Sequence, residues 1–448
     1  MKTPICDFVE EYREKKNLRL HMPGHKGKSL LGFEALDITE IDGADVLYSP
    51  KGIIRESEEN AGLIFGSERT LYSVEGSSLS IRAMLYLASL WGKSEGKNMT
   101  LLATRNAHRV FMSGCALLDL DVRWMWGDGA SVCSCNITSE ELDSELSSAE
   151  AEGVKPFAVY LTSPDYLGNT LDIKALSAVC HKHGLLCLVD NAHGAYLNFL
   201  SPSRHPMALG ADMCADSAHK TLPALTGAAY LHVSKIAPRL LSDEADRAMS
   251  LLASTSPSYL ILQSLDAVNK YLSEGYSEKL EIFSEKATAL KKQLSEKGFT
   301  LVGDEPLKLT ISTKPYGYKG FELCEILASK GVVCEFCDKD FTVMMLTPEI
   351  SDSELSLLSE ALLSVPRRAP VTEYAPVLKK ATRIMSVRES LMAQSERLPI
   401  EECEGRILSD ASFSCPPAIP ILVCGELIDK DAIKALKYYG ISECKTVM

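Results

Sequence analysis

The sequence predicts an α/β protein: a mostly parallel sheet flanked by helices, followed by a smaller C-terminal α/β domain. Three observations carry that prediction. Short apolar runs alternate with segments of helical spacing over roughly the first half of the chain, the pattern of βαβ units. Residues 185–189 are a continuous apolar run ending in Asp190, as in a strand buried on both faces. The 448 residues exceed what one core holds, about 250–300 residues, so more than one domain is expected.

Each element follows from its own residues. Residues 70–74 are β-like, Gly76-Ser77-Ser78 is a small-residue turn, and residues 80–90 have helical spacing. Residues 100–103 read as a strand, 106–120 as a helix, 122–125 as the next strand and 139–152 as an acidic helix. A β-rich run at 157–162 precedes a helix at 173–183 and the buried strand that ends in Asp190. Residues 212–215 form a short strand. Beyond residue 231 the texture changes to a long helical region, 253–297, suited to bridging two domains. Residues 299–313 and 332–346 read as strands of the smaller unit, and Pro366-Arg-Arg-Ala-Pro370 as a linker. In the last segment Ile384, Val387 and Leu391 fall at helical spacing and are expected to line one buried face. Cys415-Pro-Pro-Ala-Ile-Pro420 is expected to force an extended backbone before the apolar residues 421–424. The expected boundaries are an N-terminal arm at 1–45, a large domain at 46–290, a small domain at 291–368 and a C-terminal segment at 369–448.

Composition narrows the function. Charged residues make up 24% and hydrophobic residues 46%, the proportions of an ordinary globule. A net charge of −13 argues against nucleic acid, which needs clustered Lys and Arg to displace counterions, and is weakly compatible with a cationic substrate. The first ten residues hold several charges and no apolar core, so no signal peptide is expected, and no run approaches 18 apolar residues. The expected compartment is the cytoplasm. The fourteen cysteines follow no disulfide framework and read as reduced, mostly buried thiols. Cys334-x-x-Cys337 has no matching pair, so no metal site is expected.

The most informative string is Ser217-Ala-His219-Lys220-Thr221-Leu222-Pro223, just beyond a short strand. A lysine in a tight loop among small residues can be desolvated, which lowers its pKa and makes it a nucleophile toward carbonyls, the route to a Schiff base. Taken alone, any lysine is more often a surface residue. Asp190, thirty residues earlier at the end of a buried strand, shifts the odds. A buried carboxylate there needs a cationic partner, such as a protonated pyridine nitrogen, although an Asp at that point also caps helices. Gly76-Ser77-Ser78 presents backbone N–H groups and hydroxyls suited to a phosphate, and equally starts helices with no ligand. His108, His193 and His219 all lie at strand ends. His181-x-His183 is better read as a helix end than as a metal pair, because neighbours two apart on a helix do not converge. Dinucleotide, P-loop and esterase glycine motifs are absent.

Together with His21-Met-Pro-Gly-His-Lys-Gly27, Val46-Leu-Tyr-Ser-Pro-Lys-Gly-Ile53, Phe65-Gly66, Val74-Glu-Gly-Ser-Ser78, Arg105-Asn-Ala-His108, Thr162-Ser-Pro-Asp-Tyr166 and Val189-Asp-Asn-Ala-His-Gly-Ala195, the lysine string resembles the Orn/Lys/Arg decarboxylase family. The likeness resumes at Gly405-Arg406 and Pro416-Pro-Ala-Ile-Pro-Ile-Leu-Val-Cys-Gly-Glu426. The resemblance implies fold type I of the pyridoxal-phosphate enzymes, that of aspartate aminotransferase, and a homodimer with active sites at the subunit interface. It implies that Lys220 forms the Schiff base with pyridoxal 5'-phosphate and that Asp190 pairs with the pyridine nitrogen. Gly76, Ser77, Ser78, Ser217 and His219 would hold the phosphate. His108 would stack on one ring face and Ala192 pack on the other, with Ser163 or His193 near the ring oxygen and substrate. The implied reaction is α-decarboxylation of arginine, lysine or ornithine, feeding polyamine synthesis. Transamination or aldol cleavage on the same fold, or a binding protein without turnover, are the alternatives. The chain departs from the family pattern at Glu75, where Asn is more frequent, at Asn191, where Glu is, at Tyr196, where His is, and at Gly227, where Gln is.

Overall fold

The computed structural model describes residues 1–127, 131–377, 379–411 and 420–448. The first part of the chain folds in the order α1 (Pro4–Glu14), α2 (Ile53–Phe65), β1 (Arg69–Ser73), α3 (Ser77–Ser94), β2 (Thr100–Thr104), α4 (Arg109–Leu118) and β3 (Asp121–Met125). There follow α5 (Ser139–Ala151), β4 (Ala158–Thr162), α6 (Ile173–Lys182), β5 (Leu186–Asp190), β6 (Met213–Asp216) and β7 (Ala229–Val233). These seven strands form one sheet in the order β1-β7-β6-β5-β4-β2-β3. β5 runs parallel to β6 and β2 parallel to β3, whereas β7 is antiparallel to β6 and to β1. The mostly parallel sheet that the alternating pattern predicts is therefore present.

The chain divides into two compact units. The first comprises Met1–Asn98, Pro156–Val159 and Ile173–Glu278. Here every residue of β5, β6 and β7 is buried, which is why residues 185–189 read as unbroken apolar sequence. Helix α3 buries ten residues around most of its circumference, among them Leu79, Met84, Leu85 and Leu87. The N-terminal helix α1 is anchored by the buried Asp266, whose Oδ2 accepts the backbone N–H groups of Ile5 and Cys6 at 2.9 and 3.0 Å. Those first-turn N–H groups have no partner within their own helix, so a carboxylate there acts as the cap.

The second unit comprises Met99–Lys155, Tyr160–Asp172 and Lys279–Met448. It holds β8 (Thr300–Val302), β9 (Lys308–Ser312), β10 (Phe336–Cys337) and β11 (Phe341–Met345), an antiparallel sheet in the order β10-β11-β9-β8. The last part of the chain adds the antiparallel pair β12 (Ser395–Pro399) and β13 (Glu443–Val447), with a core that includes Ile400, Leu408, Ile421, Ile428 and Leu436.

Several expectations need correction. The helix expected from residue 106 begins at Arg109, because His108 takes the capping position with extended backbone. The region 253–297 is two helices, Tyr259–Ser273 and Tyr276–Lys297, interrupted where Gly275 adopts φ +85°. The run 332–346 is interrupted as well: Asp338 Oδ1 accepts the N–H groups of Asp340 and Phe341, turning the chain between β10 and β11. Ile384 precedes the helix Val387–Met392 and is 52% exposed, so the expected buried face does not include it. Ser386 caps that helix and Val387 is its buried apolar residue. Of the proline segment expected to be extended, 415–420, all but Pro420 lies outside the described residues. No disulfide joins the described cysteines, and among described residues no helix is long and apolar enough to cross a membrane.

Candidate active site

In a sheet of this kind ligands meet the loops beyond the carboxyl ends of the strands. The register of β5 against β6 pairs Asp190 with Ala215, bringing the loop after each strand to one edge of the first unit. Asp190 is 3% exposed, and its Oδ1 accepts the Ala192 N–H at 3.2 Å. That bond turns the chain just after β5. On the loop after β6, Ser217 precedes a single helical turn, Ala218–Thr221, that carries Lys220. Lys220 Nζ lies 3.1 Å from His193 Nε2. The amine and the imidazole that the sequence places 27 residues apart are thus hydrogen-bonded neighbours.

The turn at Gly76-Ser77-Ser78 is tighter than the sequence suggests. Helix α3 begins at Ser77, three residues before the expected start, which puts Ser77 and Ser78 in its first turn. Gly76 caps it with φ +70°, a conformation that favours glycine. The Ser217 hydroxyl donates to Ser77 Oγ at 2.8 Å, joining the two loops at the end of an 18-residue helix. First-turn N–H groups, two serine hydroxyls and the helix dipole converge there, the kind of groups that can receive an oxyanion. Gly227 stands behind that turn. Its carbonyl accepts the Gly76 N–H at 2.8 Å, its φ is +100°, and a Cβ there would lie 3.0 Å from the Val74 carbonyl. The departure from the family pattern at Gly227 is therefore a backbone requirement.

His219 is bonded to the chain just before β7. Its Nδ1–H donates to the Ala228 carbonyl at 2.8 Å, and its backbone N–H reaches the same oxygen at 3.2 Å. Burial, with the Lys220 charge adding, pushes its pKa down against the bond to Ala228. The bond through Nδ1 anchors the loop that bears Lys220 and leaves Nε2 outside that contact.

His108 and Ser163 belong to the second unit. His108 caps α4, with Nδ1 accepting the Val110 N–H at 3.2 Å. Ser163 is buried, and its Oγ accepts the Leu171 N–H at 3.0 Å. Three residues before His108 stands a group whose partner the sequence alone does not identify. Arg105, 6% exposed, forms an ion pair of 2.7 Å with Glu426, whose same Oε2 accepts the Val423 N–H at 2.7 Å. The guanidinium also lies 5.4 and 4.7 Å from the Trp124 and Trp126 ring centroids. Two motifs quoted separately from the sequence, Arg105-Asn-Ala-His108 and the string ending in Glu426, are thus one buried contact within this unit. Glu426→Gln keeps the shape and removes the charge opposite a buried guanidinium. It is expected to cost about 2 kcal/mol, read as a lower denaturant midpoint at unchanged slope.

The family model described as Orn/Lys/Arg decarboxylase, major domain, matches residues 3–302, and that described as Orn/Lys/Arg decarboxylase, C-terminal domain, matches residues 373–445. The chain is 29% identical to an arginine decarboxylase of Halalkalibacterium halodurans, over 97% of this chain and 93% of that one. It is 27% identical to an arginine decarboxylase of Bacillus subtilis, over 96% and 92% of the two chains. Among solved structures, the lysine decarboxylase of Francisella novicida superposes with a TM-score of 0.80 at 15% identity, covering 100% of this chain and 81% of that one.

Proposed function

The chain belongs to the Orn/Lys/Arg decarboxylase family, and from that premise we propose a pyridoxal-phosphate enzyme, its cofactor held through Lys220, that removes the α-carboxylate of arginine. Its reaction class is the decarboxylation of a basic amino acid. The single observation that carries the cofactor reading is the 3.1 Å contact of Lys220 with His193, beside Asp190 on the adjacent loop. The residues present fit the cofactor: an amine for its aldehyde, a buried carboxylate for a protonated ring nitrogen, and paired serines at a helix N-terminus for its phosphate. When bound, the cofactor supplies an electron sink for the charge left at the substrate's Cα.

The chain's own groups do the rest. Lys220 would hold the cofactor through its aldehyde. Nζ and His193 Nε2 share a hydrogen bond, so a proton held there could be delivered to Cα in place of the departed carboxylate. Asp190, whose Oδ1 accepts the Ala192 N–H, would pair as an anion with the ring nitrogen, and Ala192 would pack on a ring face. Gly76, Ser77, Ser78 and Ser217 would hold the phosphate. The roles for His108 and Ser163 rest on the resemblance, as does the homodimer. Arginine is favoured because the relatives similar over nearly the whole chain are named arginine decarboxylases.

The test is an amino-acid panel assayed for CO₂ and for keto acid with the reconstituted protein. Arginine is expected to release CO₂ at least about tenfold faster, per kcat/KM, than lysine or ornithine. Keto-acid formation without CO₂ would replace the reading with transamination. A visible cofactor band that no amino acid perturbs would replace it with a binding protein.

A further inference from the structure

We infer that the hydrogen bond from Asn191 to Asp216 sets the spacing of the two loops that grip opposite ends of the cofactor, which makes both of them positioning residues. The inference rests on the assignment of Asp190 and Lys220 made above. Asn191 directly follows Asp190, and Asp216 directly precedes Ser217 and the Lys220 turn. Both are fully buried. Asn191 Nδ2 donates to Asp216 Oδ1 at 2.7 Å, and the Asn191 backbone N–H reaches the Ala215 carbonyl at 3.0 Å. The first loop is therefore tied to the second by side chain and backbone at the same point.

Asp216 is itself held in place. Its Oδ2 lies 2.9 Å from His205 Nε2 and 3.3 Å from His232 Nε2. His205 Nδ1 accepts the Met207 N–H at 3.3 Å, so the imidazole proton sits on Nε2 and is donated to Asp216. His232 Nδ1 is bonded to Thr70 Oγ1 at 2.8 Å, which in turn meets Ser67 Oγ at 2.7 Å. Burial alone would raise the Asp216 carboxyl, but the hydrogen bond of His205 and the electrostatic attraction of both imidazoles hold it well below the usual range. With Cys214, these groups lie within 4.8 Å of one another, the spacing of a metal site. His205, however, offers a proton here and no lone pair, so the set reads as donors gathered around a carboxylate.

The loop is also shaped around Asn191. A Cβ on Gly194 would lie 2.1 Å from Asn191 Oδ1, so only glycine fits after His193. A Glu at 191, the more frequent family residue, would set a second carboxylate against Asp216. Asn191 and Asp216 are thus a matched pair, and the departure at 191 supplies a donor to a buried anion.

The test compares the holoenzyme with N191D, D216N and the N191D/D216N exchange, measuring cofactor affinity, kcat, KM and the melting of cofactor-free protein. N191D opposes two carboxylates across 2.7 Å and is expected to weaken cofactor affinity about 100-fold. D216N, where an amide pair can re-form by rotation of Asn191, is expected to lose about threefold. In the exchange, the new amide at position 216 donates to the new carboxylate at position 191, and at least about tenfold of the loss, in affinity and in kcat, should return. An exchange that restores melting but not affinity or kcat would reduce the pair to a stability role and overturn the inference. So would an N191D protein that binds cofactor within about threefold of wild type. A wild-type protein without the visible cofactor band refutes the assignment of Lys220, and this inference with it.

Discussion

Lys220→Ala is expected to abolish the visible absorbance of the bound cofactor and to lower kcat by about four decades or more, on the order of 5 kcal/mol of barrier. Two losses combine. No amine at that position can attach the aldehyde, and no proton can be held at Nζ opposite His193 Nε2, 3.1 Å away in the native site. Lys220 is half-buried and sits in one helical turn, so alanine leaves the local backbone intact and the melting temperature should change little. Spectra and CO₂ release measured on the same preparation separate loss of chemistry from loss of fold. A variant that keeps the band would mean that another lysine holds the cofactor. His193→Ala, which leaves the amine and removes its partner, should keep the band and lose less activity.

Asp190→Ala carries the second largest effect. A ring cation facing the site would lose its buried anion, a penalty of roughly 3–5 kcal/mol. If all of that falls on the transition state, kcat/KM drops by about 2–4 decades. The carboxylate has a second task, since its Oδ1 accepts the Ala192 N–H that turns the loop. Asp190→Asn separates the two, because an amide oxygen can accept the same bond without the charge. Equal losses in Asn and Ala variants assign the effect to charge. Recovery in the Asn variant would assign it to the turn, and the pairing proposed for Asp190 would then fail.

Much of this site is legible in the sequence because the relevant signals are local. The continuous apolar run before Asp190 announces a strand buried on both faces, and β5 is buried along its whole length. A lysine among small residues after a strand announces a tight loop, and Lys220 occupies a single helical turn. Helix limits are less legible. Ser77 and Ser78 read as a turn, yet they open α3, since small polar residues suit a first helical turn as well as a loop. His108 reads as helix, yet its ring caps the helix from outside.

Sequence by itself determined the fold class, the strand ends that carry Asp190 and Lys220, and the family to which the motifs belong. Hydrophobic period and short motifs record which backbone is buried and where it turns, so they need no knowledge of distant partners. Only the tertiary structure decided that Glu426 neutralises Arg105 across 321 positions, that Gly227 supports the Gly76 cap, and that Asn191 answers Asp216. Buried polar groups must be satisfied, but nothing local to Arg105 or Asp216 names the group that satisfies them. That choice is made when strands and loops distant in sequence are packed side by side.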